Sequence, residues 1–115
     1  MSDKDYENLL AIVEAEAGGE DLDGKIMVTN VILNRVSSDQ FPDNVTSVIW
    51  DRTGGSPQFS PTEDGRIYTV TVSDDTREAV NRAIDGDDLS QGALYFIAKD
   101  QADEKNVKWF DEKLT

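Results

Sequence analysis

The chain has 115 residues, which is enough for one domain with a single hydrophobic core. It contains no Cys and no His, so disulfides, thiolate metal sites, most zinc sites and hydrolases that use a histidine base are excluded. The formal net charge of −13 argues against nucleic-acid binding, because no basic stripe is available to neutralise phosphates. Acid–base chemistry must therefore come from Asp, Glu, Lys or Tyr side chains.

The sequence predicts neither a membrane helix nor a signal peptide. No apolar run approaches the roughly 20 residues that a membrane helix needs. Residues 1–5 do not form a basic region followed by an apolar core, so no signal peptide is predicted. Hydrophobic residues make up 37% of the chain and charged residues 30%, as is ordinary for a soluble globular domain.

The first predicted helix leads into an acidic stretch that ends at two glycines. Its apolar residues have helical spacing: Leu9, Leu10, Ile12 and Val13. We expect Gly18 and Gly19 to end the helix, since glycine readily takes the left-handed conformation of a helix C-terminus. Glu16 is therefore placed in the last helical turn, beside a sharp bend.

Glu16 is the candidate catalytic acid. A carboxylate is disfavoured at the negative end of the helix dipole, and Glu14 and Glu20 add like-charge repulsion. Partial burial would act in the same direction, so each of these effects is expected to raise the pKa of Glu16. Such a group can deliver a proton to a leaving group near neutral pH. The alternative is that the three glutamates are simply solvated charges at a helix end.

A second helix is predicted from about Asp21 to Val36, with Asp21 or Asp23 as its N-cap. Its apolar face is so broad that we expect this helix to be the buried centre of the domain. Asn34 and Arg35 interrupt the pattern near its end. We expect them to tie the end of the helix to a neighbouring loop by hydrogen bonds.

The middle of the chain alternates between short elements and loop. A short helix capped by Asn44 is predicted over residues 44–50. Residues 51–65 are rich in Gly, Ser, Pro and Asp, which predicts a long irregular segment. Within that segment Gln58, Phe59 and Ser60 are held between two prolines. Alternation over residues 66–72 predicts a strand or an extended segment.

The last part of the chain contains one further helix and a short apolar run. A helix is predicted over residues 75–85, with Asp75 and Glu78 as a pair resembling a capping box and Gly86 as its terminator. Residues 93–98 read as a short buried strand or extended run. The elements together predict a single domain over residues 1–115 of the α+β class, mostly α, with a buried central helix and a small β or extended segment.

The order and spacing of several short motifs resemble the cell-wall hydrolase family of the spore cortex-lytic enzymes. The similarity runs from about residue 6 to residue 110. The matching motifs are Glu16-Ala17-x-Gly19-Glu20, Gly24, Val31-Ile32-Leu33-Asn34-Arg35-Val36, Phe41-Pro42, Val48-Ile49, Gln58-Phe59-Ser60, Ala83-Ile84-x-Gly86 and Ala93-Leu94-Tyr95-Phe96.

The resemblance implies a lysozyme-like fold and a role in cutting bacterial peptidoglycan during spore germination. Members cleave the glycan strand between N-acetylmuramic acid and N-acetylglucosamine, as lytic transglycosylases or muramidases. Glu16 matches the catalytic glutamate of the family. The positions that match residues lining or supporting the substrate groove are Glu20, Gln58, Phe59, Ser60, Tyr95 and Phe96.

The family also implies how the reaction proceeds and where it takes place. A single glutamate would act first as acid and then as base towards the muramic acid 6-hydroxyl, forming a 1,6-anhydro ring, whereas spacing alone leaves hydrolysis by water open. No cofactor or metal is expected, and the aspartate-rich segments at residues 21–24 and 85–88 do not match a calcium loop. We expect a monomer acting outside the cytoplasm, in the cell wall or spore cortex.

Two alternatives remain open from the sequence. One is a non-catalytic module that keeps the fold and binds peptidoglycan or another protein. The other concerns the end of the chain: family members usually continue past the region matching Trp109 and Phe110 into a segment with Gly-His and a terminal aromatic residue, whereas this chain ends at Thr115 and has no His. Either the chain is truncated or this ending has diverged.

Overall fold

The computed structural model describes residues 1–51 and 59–94. Within these ranges the protein is helical. The α-helices are α1 (Asp3–Ala17), α2 (Leu22–Val36), α3 (Val45–Ile49), α4 (Ser60–Asp64) and α5 (Asp74–Ile84), and a 3₁₀ helix spans Arg66–Tyr68. None of the helices in the described part is long and apolar enough to cross a membrane.

Helix α2 lies at the centre of the domain, as the breadth of its apolar face predicts. It packs against α1, α3 and α5, and Val31 and Ile32 are both 0% exposed. Asp21 is its N-cap, with the side-chain Oδ1 accepting a hydrogen bond from the Gly24 N–H at 2.9 Å. Burial of this face stabilises the fold because each fully buried aliphatic side chain contributes about 1.5–3 kcal/mol relative to an exposed one.

Polar residues on α2 hold the loop that follows α5. Asn34 Nδ2 donates to the Ala93 carbonyl and to Ser90 Oγ, both at 2.8 Å, and Arg35 Nε donates to the Leu94 carbonyl at 2.8 Å. The predicted role of Asn34 and Arg35 as a tie to a neighbouring loop is therefore confirmed. Asn30 also connects α2 to this loop, because its side chain accepts a hydrogen bond from the Leu89 N–H at 2.9 Å.

Helix α1 ends where the sequence predicts, but with a different backbone conformation. It begins at the N-cap Ser2 and ends at Ala17. Gly18 has φ −58° and ψ −28°, which is right-handed helical geometry, and Gly19 is not among the described glycines with positive φ. The expectation of a left-handed helix end is wrong. The φ angles at positions 18 and 19 therefore do not require glycine.

Residues 66–72 were predicted to form a strand or an extended segment, and no strand is found there. After Gly65, which has φ +83°, residues 66–68 form the 3₁₀ helix, and the Tyr68 N–H donates to the Gly65 carbonyl at 3.1 Å. Only Ile67 of this turn is buried, whereas Tyr68 is exposed. The alternation of residue types was misleading because no neighbouring strand is present in the described ranges to pair with this segment.

Two other boundaries differ from the sequence prediction. Residues 60–64 of the expected irregular segment form helix α4, which Pro61 favours because proline fits the first helical turn. Helix α5 is capped by Ser73, whose Oγ accepts from the Thr76 N–H, and not by Asp75. The short helix capped by Asn44 is confirmed as α3. The apolar run at 93–98 lies mostly outside the described residues, and residues 93 and 94 are not in a strand.

Candidate functional site

Glu16 lies in the last turn of α1, half-buried, on the part of the helix near α4 and the 3₁₀ helix. Burial raises the pKa of the Glu16 carboxyl above its ordinary value, because the charged form loses solvation. The negative charge of Asp64 raises this pKa further, and the positive charge of Arg66 partly opposes the increase. The direction agrees with the sequence prediction. The like charge that contributes is that of Asp64, which is distant in the sequence.

Asp64 and Arg66 were not identified from the sequence. Asp64 ends α4, and its carboxylate accepts from Arg66 Nε at 2.9 Å and from the Arg66 backbone N–H at 3.0 Å. These hydrogen bonds and the guanidinium charge hold the pKa of Asp64 below its ordinary value, so Asp64 is ionised. Nothing in the spacing of these residues reveals that α4 and the 3₁₀ helix return to the end of α1.

Glu14 has the opposite environment from Glu16. Its Oε1 accepts from the Ser73 N–H and from Thr76 Oγ1, both at 2.8 Å, and so joins α1 to the beginning of α5. Burial acts to raise the pKa of Glu14, but these hydrogen bonds and the charge of Lys25 outweigh it and lower the pKa overall. Glu14 is therefore a structural carboxylate, and Glu16 is the one suited to carry a proton.

Gly18 is required by the position of Glu14. A Cβ atom on Gly18 would lie 2.6 Å from the Glu14 carbonyl oxygen and would collide with Glu14 Oε2. A Cβ on Gly19 would meet nothing within 4 Å. Glycine at position 18 thus leaves room for the carboxylate that holds α1 to α5, two residues from Glu16.

Glu20 follows this bend and is also half-buried. Its backbone N–H donates to the Ala17 carbonyl at 2.9 Å, which closes the turn after α1. Gly24 lies against it, since a Cβ atom there would be 2.9 Å from the Glu20 Cβ. The turn therefore keeps Glu16 and Glu20 on one short segment, as the motif suggested.

Phe59 belongs to the hydrophobic core. Its ring is 1% exposed and packs in the main hydrophobic cluster. The Arg35 guanidinium lies 5.2 Å from the ring centroid of Phe59 and 4.9 Å from that of Phe41, within the range of cation–π attraction. The sequence predicts that Phe59 lines or supports the groove, and its burial favours the supporting role. Phe59 supports the fold beside the site.

The other predicted groove residues are only partly described. Gln58, Tyr95 and Phe96 lie outside the described residues. Ser60 begins α4, which packs against α1, and its side chain is outside the described part. Their roles remain predictions.

The described residues contain no group of three or more acidic side chains arranged to hold a metal ion. Three of the five aspartates in the two segments weighed as calcium loops have structural partners. Asp21 caps α2, Asp87 pairs with Arg82 at 2.8 Å, and Asp88 accepts from Ser90 Oγ at 2.7 Å.

Residues 19–115 match the family model described as Cell Wall Hydrolase. The chain belongs to this cell wall hydrolase family. It is 41% identical over 101 residues to the spore cortex-lytic enzyme of Halalkalibacterium halodurans, and 39% identical over 102 residues to that of Bacillus subtilis. These alignments cover 88% and 89% of this chain but 29% and 32% of the relatives, so this cell wall hydrolase domain spans about a third of their length.

Two solved structures share the fold of this cell wall hydrolase domain. One is the catalytic domain of the germination-specific lytic transglycosylase SleB from Bacillus anthracis, with a TM-score of 0.77, 35% identity, and coverage of 95% of this chain and 85% of that one. The other is the catalytic domain of the Bacillus cereus SleB protein, with a TM-score of 0.74, 36% identity, and coverage of 93% and 80%. The described part of the chain is mostly helical, and its fold is similar to that of these catalytic domains.

Proposed function

We propose that this domain is a peptidoglycan lytic transglycosylase with a lysozyme-like fold, in which Glu16 is the general acid and then the general base. The observation that carries the proposal is the half-buried Glu16 carboxyl with its raised pKa, in a chain similar to a lytic transglycosylase catalytic domain. A raised pKa keeps a larger fraction of the carboxyl protonated near neutral pH, as a proton donor requires.

The first step transfers the Glu16 proton to the oxygen that links N-acetylmuramic acid to N-acetylglucosamine. The bond between this oxygen and C1 of the muramic acid breaks, the oxygen departs as the 4-hydroxyl of N-acetylglucosamine, and positive charge develops at C1. Glu16 becomes a carboxylate in this step. The positive charge of Arg66 stabilises that carboxylate. Asp64 therefore favours the protonated form of Glu16 before the step, and Arg66 favours the ionised form after it.

The second step closes the ring. The Glu16 carboxylate removes the proton from the 6-hydroxyl of the same muramic acid, and O6 forms a bond to C1. The products are a 1,6-anhydromuramic end and an N-acetylglucosamine end, and Glu16 is protonated again. One carboxyl group therefore serves both steps, consistent with a chain that has no His.

The remaining features of the proposal follow the family. Glu20, Gln58, Ser60, Tyr95 and Phe96 would bind or frame the glycan, and no cofactor is required. The domain would act as a monomer on the cell wall or spore cortex outside the cytoplasm. Its net charge of −13 suits a substrate whose backbone sugars are largely uncharged.

The test is a digest of purified peptidoglycan, with the soluble fragments identified by mass spectrometry. We expect fragments that end in 1,6-anhydromuramic acid. Reducing muramic ends would instead identify a muramidase, in which water attacks C1. Binding of peptidoglycan without release of fragments would identify the non-catalytic module.

A further inference from the structure

The 3₁₀ helix carries a tyrosine whose ring is outside the core. Tyr68 is 76% exposed, the largest exposure of any large hydrophobic side chain in the described ranges. Its ring nevertheless has a fixed neighbour, since its centroid lies 5.8 Å from that of Trp50 with an interplanar angle of 32°. This distance is typical of interacting aromatic pairs. Trp50 is half-buried and packs against the main core, whereas the Tyr68 ring is exposed beside it. We call this pair of rings the aromatic platform.

The backbone under the aromatic platform is anchored, so Tyr68 cannot fold inwards. Ile67 is 6% exposed and belongs to the main core cluster. Successive residues of a 3₁₀ helix point about a third of a turn apart, so burial of Ile67 directs its two neighbours away from the core. On the other side, Trp50 ends α3, and its backbone N–H donates to the Thr46 carbonyl at 3.1 Å.

The same turn connects the aromatic platform to the candidate catalytic acid. Arg66 begins the 3₁₀ helix and interacts electrostatically with Glu16. Tyr68 is two residues further along, so its Cα lies within about 7 Å of the Arg66 Cα. A polymer bound at Glu16 and extending past Arg66 would therefore reach the two rings.

The charge of the protein restricts what these rings can stack on. Exposed aromatic rings stack on nucleobases or on the apolar C–H face of a sugar ring. The net charge of −13 disfavours a phosphate polymer, and Arg66 is already paired with Asp64 at 2.9 Å. A sugar ring in a largely uncharged backbone carries no such penalty.

We propose that the aromatic platform of Trp50 and Tyr68 binds a sugar ring of the glycan strand, at a position beyond Arg66 from Glu16. This proposal rests on the proposed function in that the strand at Glu16 is peptidoglycan. Tyr68 contributes to binding of the polymer and not to the bond-breaking step. The phenyl ring is the part that matters, so the hydroxyl group is dispensable.

The kinetic test compares Tyr68→Ala, Tyr68→Phe and a control, Ile84→Ala, which truncates an exposed apolar residue on α5. The rate of fragment release is measured against the concentration of peptidoglycan. Tyr68→Ala is expected to raise KM by between about twofold and tenfold with kcat little changed, the range expected for loss of one aromatic stacking contact. Tyr68→Phe and Ile84→Ala should match the parent. An unchanged KM in Tyr68→Ala would overturn the proposal.

A binding test separates this proposal from the proposed function. The double variant Glu16→Gln, Trp109→Phe cannot use Glu16 as a proton donor and leaves Trp50 as its only tryptophan. We expect the fluorescence of Trp50 to change and saturate on addition of tetrasaccharides of alternating N-acetylglucosamine and N-acetylmuramic acid whose muramic acid carboxyl groups are amidated, as they are in peptidoglycan. This response should weaken when Tyr68→Ala is added to the double variant. Cleavage by the parent without any such response would overturn the aromatic platform alone. A response in the double variant, combined with a parent that releases no fragments from peptidoglycan, would overturn the catalytic function alone.

Discussion

Glu14 and Glu16 lie two residues apart on α1 and have opposite chemical roles. Glu14 accepts two hydrogen bonds from the beginning of α5, so its ionised form is stabilised. Glu16 is half-buried, and its ionised form is destabilised by lost solvation and by Asp64. Two residues along a helix correspond to a rotation of about 200°, which places the two side chains on different faces.

These environments predict opposite effects of pH on stability. The raised pKa of Glu16 means that the folded state binds its proton more tightly, so this contribution to stability is present at low pH and is lost as pH rises through the raised value. Glu16→Gln should therefore be as stable as the parent or more stable at pH 7. The lowered pKa of Glu14 gives stability above the ordinary pKa that is lost as pH falls through the lowered value.

Urea unfolding of Glu14→Gln and Glu16→Gln from pH 3 to pH 8 measures both effects. At pH 7 we expect Glu14→Gln to lose about 1 kcal/mol. This is less than the roughly 1.5–3 kcal/mol typical of a hydrogen bond to a charged group, because the carboxylate is partly exposed. That loss should shrink at acid pH. A loss of stability at pH 7 in Glu16→Gln, with none in Glu14→Gln, would contradict the assignment of the structural and the chemical carboxyl groups.

The sequence predicts the direction of the Glu16 pKa but not its main neighbours. The acidic composition around residue 16 pointed to Glu14 and Glu20 as the source of repulsion, because they are close along the chain. The structure gives that role to Asp64, which is 48 residues away and reaches Glu16 only through the packing of α4 on α1. Contacts between distant segments leave no signal in local spacing.

At the scale of elements, the turn between α1 and α2 holds the site in place. Gly18 leaves room for Glu14, and Gly24 leaves room for Glu20. Both glycines are required by close approach of another side chain and not by a positive φ angle. The sequence could show that glycines end α1, but the reason depends on a carboxylate directed at α5.

Gly18→Ala tests this role, with Gly19→Ala as a matched control. We expect Gly18→Ala to lower the free energy of unfolding by about 1–3 kcal/mol, because the new methyl group must displace the Glu14 side chain or the end of α1. Gly19→Ala has open space around its Cβ and should change stability by less than about 0.5 kcal/mol. Equal stability of the two variants in thermal unfolding would refute the steric explanation.

The sequence prediction was most accurate for the long apolar pattern of α2, and it was wrong about a strand in one short alternating segment. The central helix α2 was predicted nearly to its ends because its apolar face extends over four turns. The segment at residues 66–72 was misassigned because seven alternating residues fit a strand as well as a loop. The positive φ of Gly65 and the burial of Ile67 determine the 3₁₀ helix instead.

At the scale of the whole molecule, Arg35 and Phe59 link the core to the loop after α5. Arg35 is 4% exposed, lies against the rings of Phe41 and Phe59, and donates to the Leu94 carbonyl. The core and this loop therefore depend on one another. The motif containing Phe59 was identified from the sequence. The burial of the Phe59 ring could not be predicted, since a ring between two prolines fits a core or a groove equally well.

Phe59→Ala is expected to act on folding. Truncation of a fully buried phenylalanine costs about 3–5 kcal/mol, so the midpoint of urea unfolding should fall sharply. Phe59→Leu keeps most of the buried volume and should cost less. For the fraction of Phe59→Leu that is folded, KM for peptidoglycan should equal that of the parent. A raised KM with unchanged stability would instead show that Phe59 contacts the substrate.

The most direct test of the account is the rate at which Glu16→Gln releases soluble fragments from purified peptidoglycan. The substitution removes the transferable proton and keeps the shape of the side chain. General acid–base catalysis contributes about 10²–10⁴-fold, so the rate should fall by at least about 100-fold while the variant remains folded at pH 7. Glu14→Gln, measured under conditions in which it is folded, should keep a rate close to that of the parent. Equal rates for Glu16→Gln and the parent would contradict the assignment of Glu16 as the catalytic acid and base.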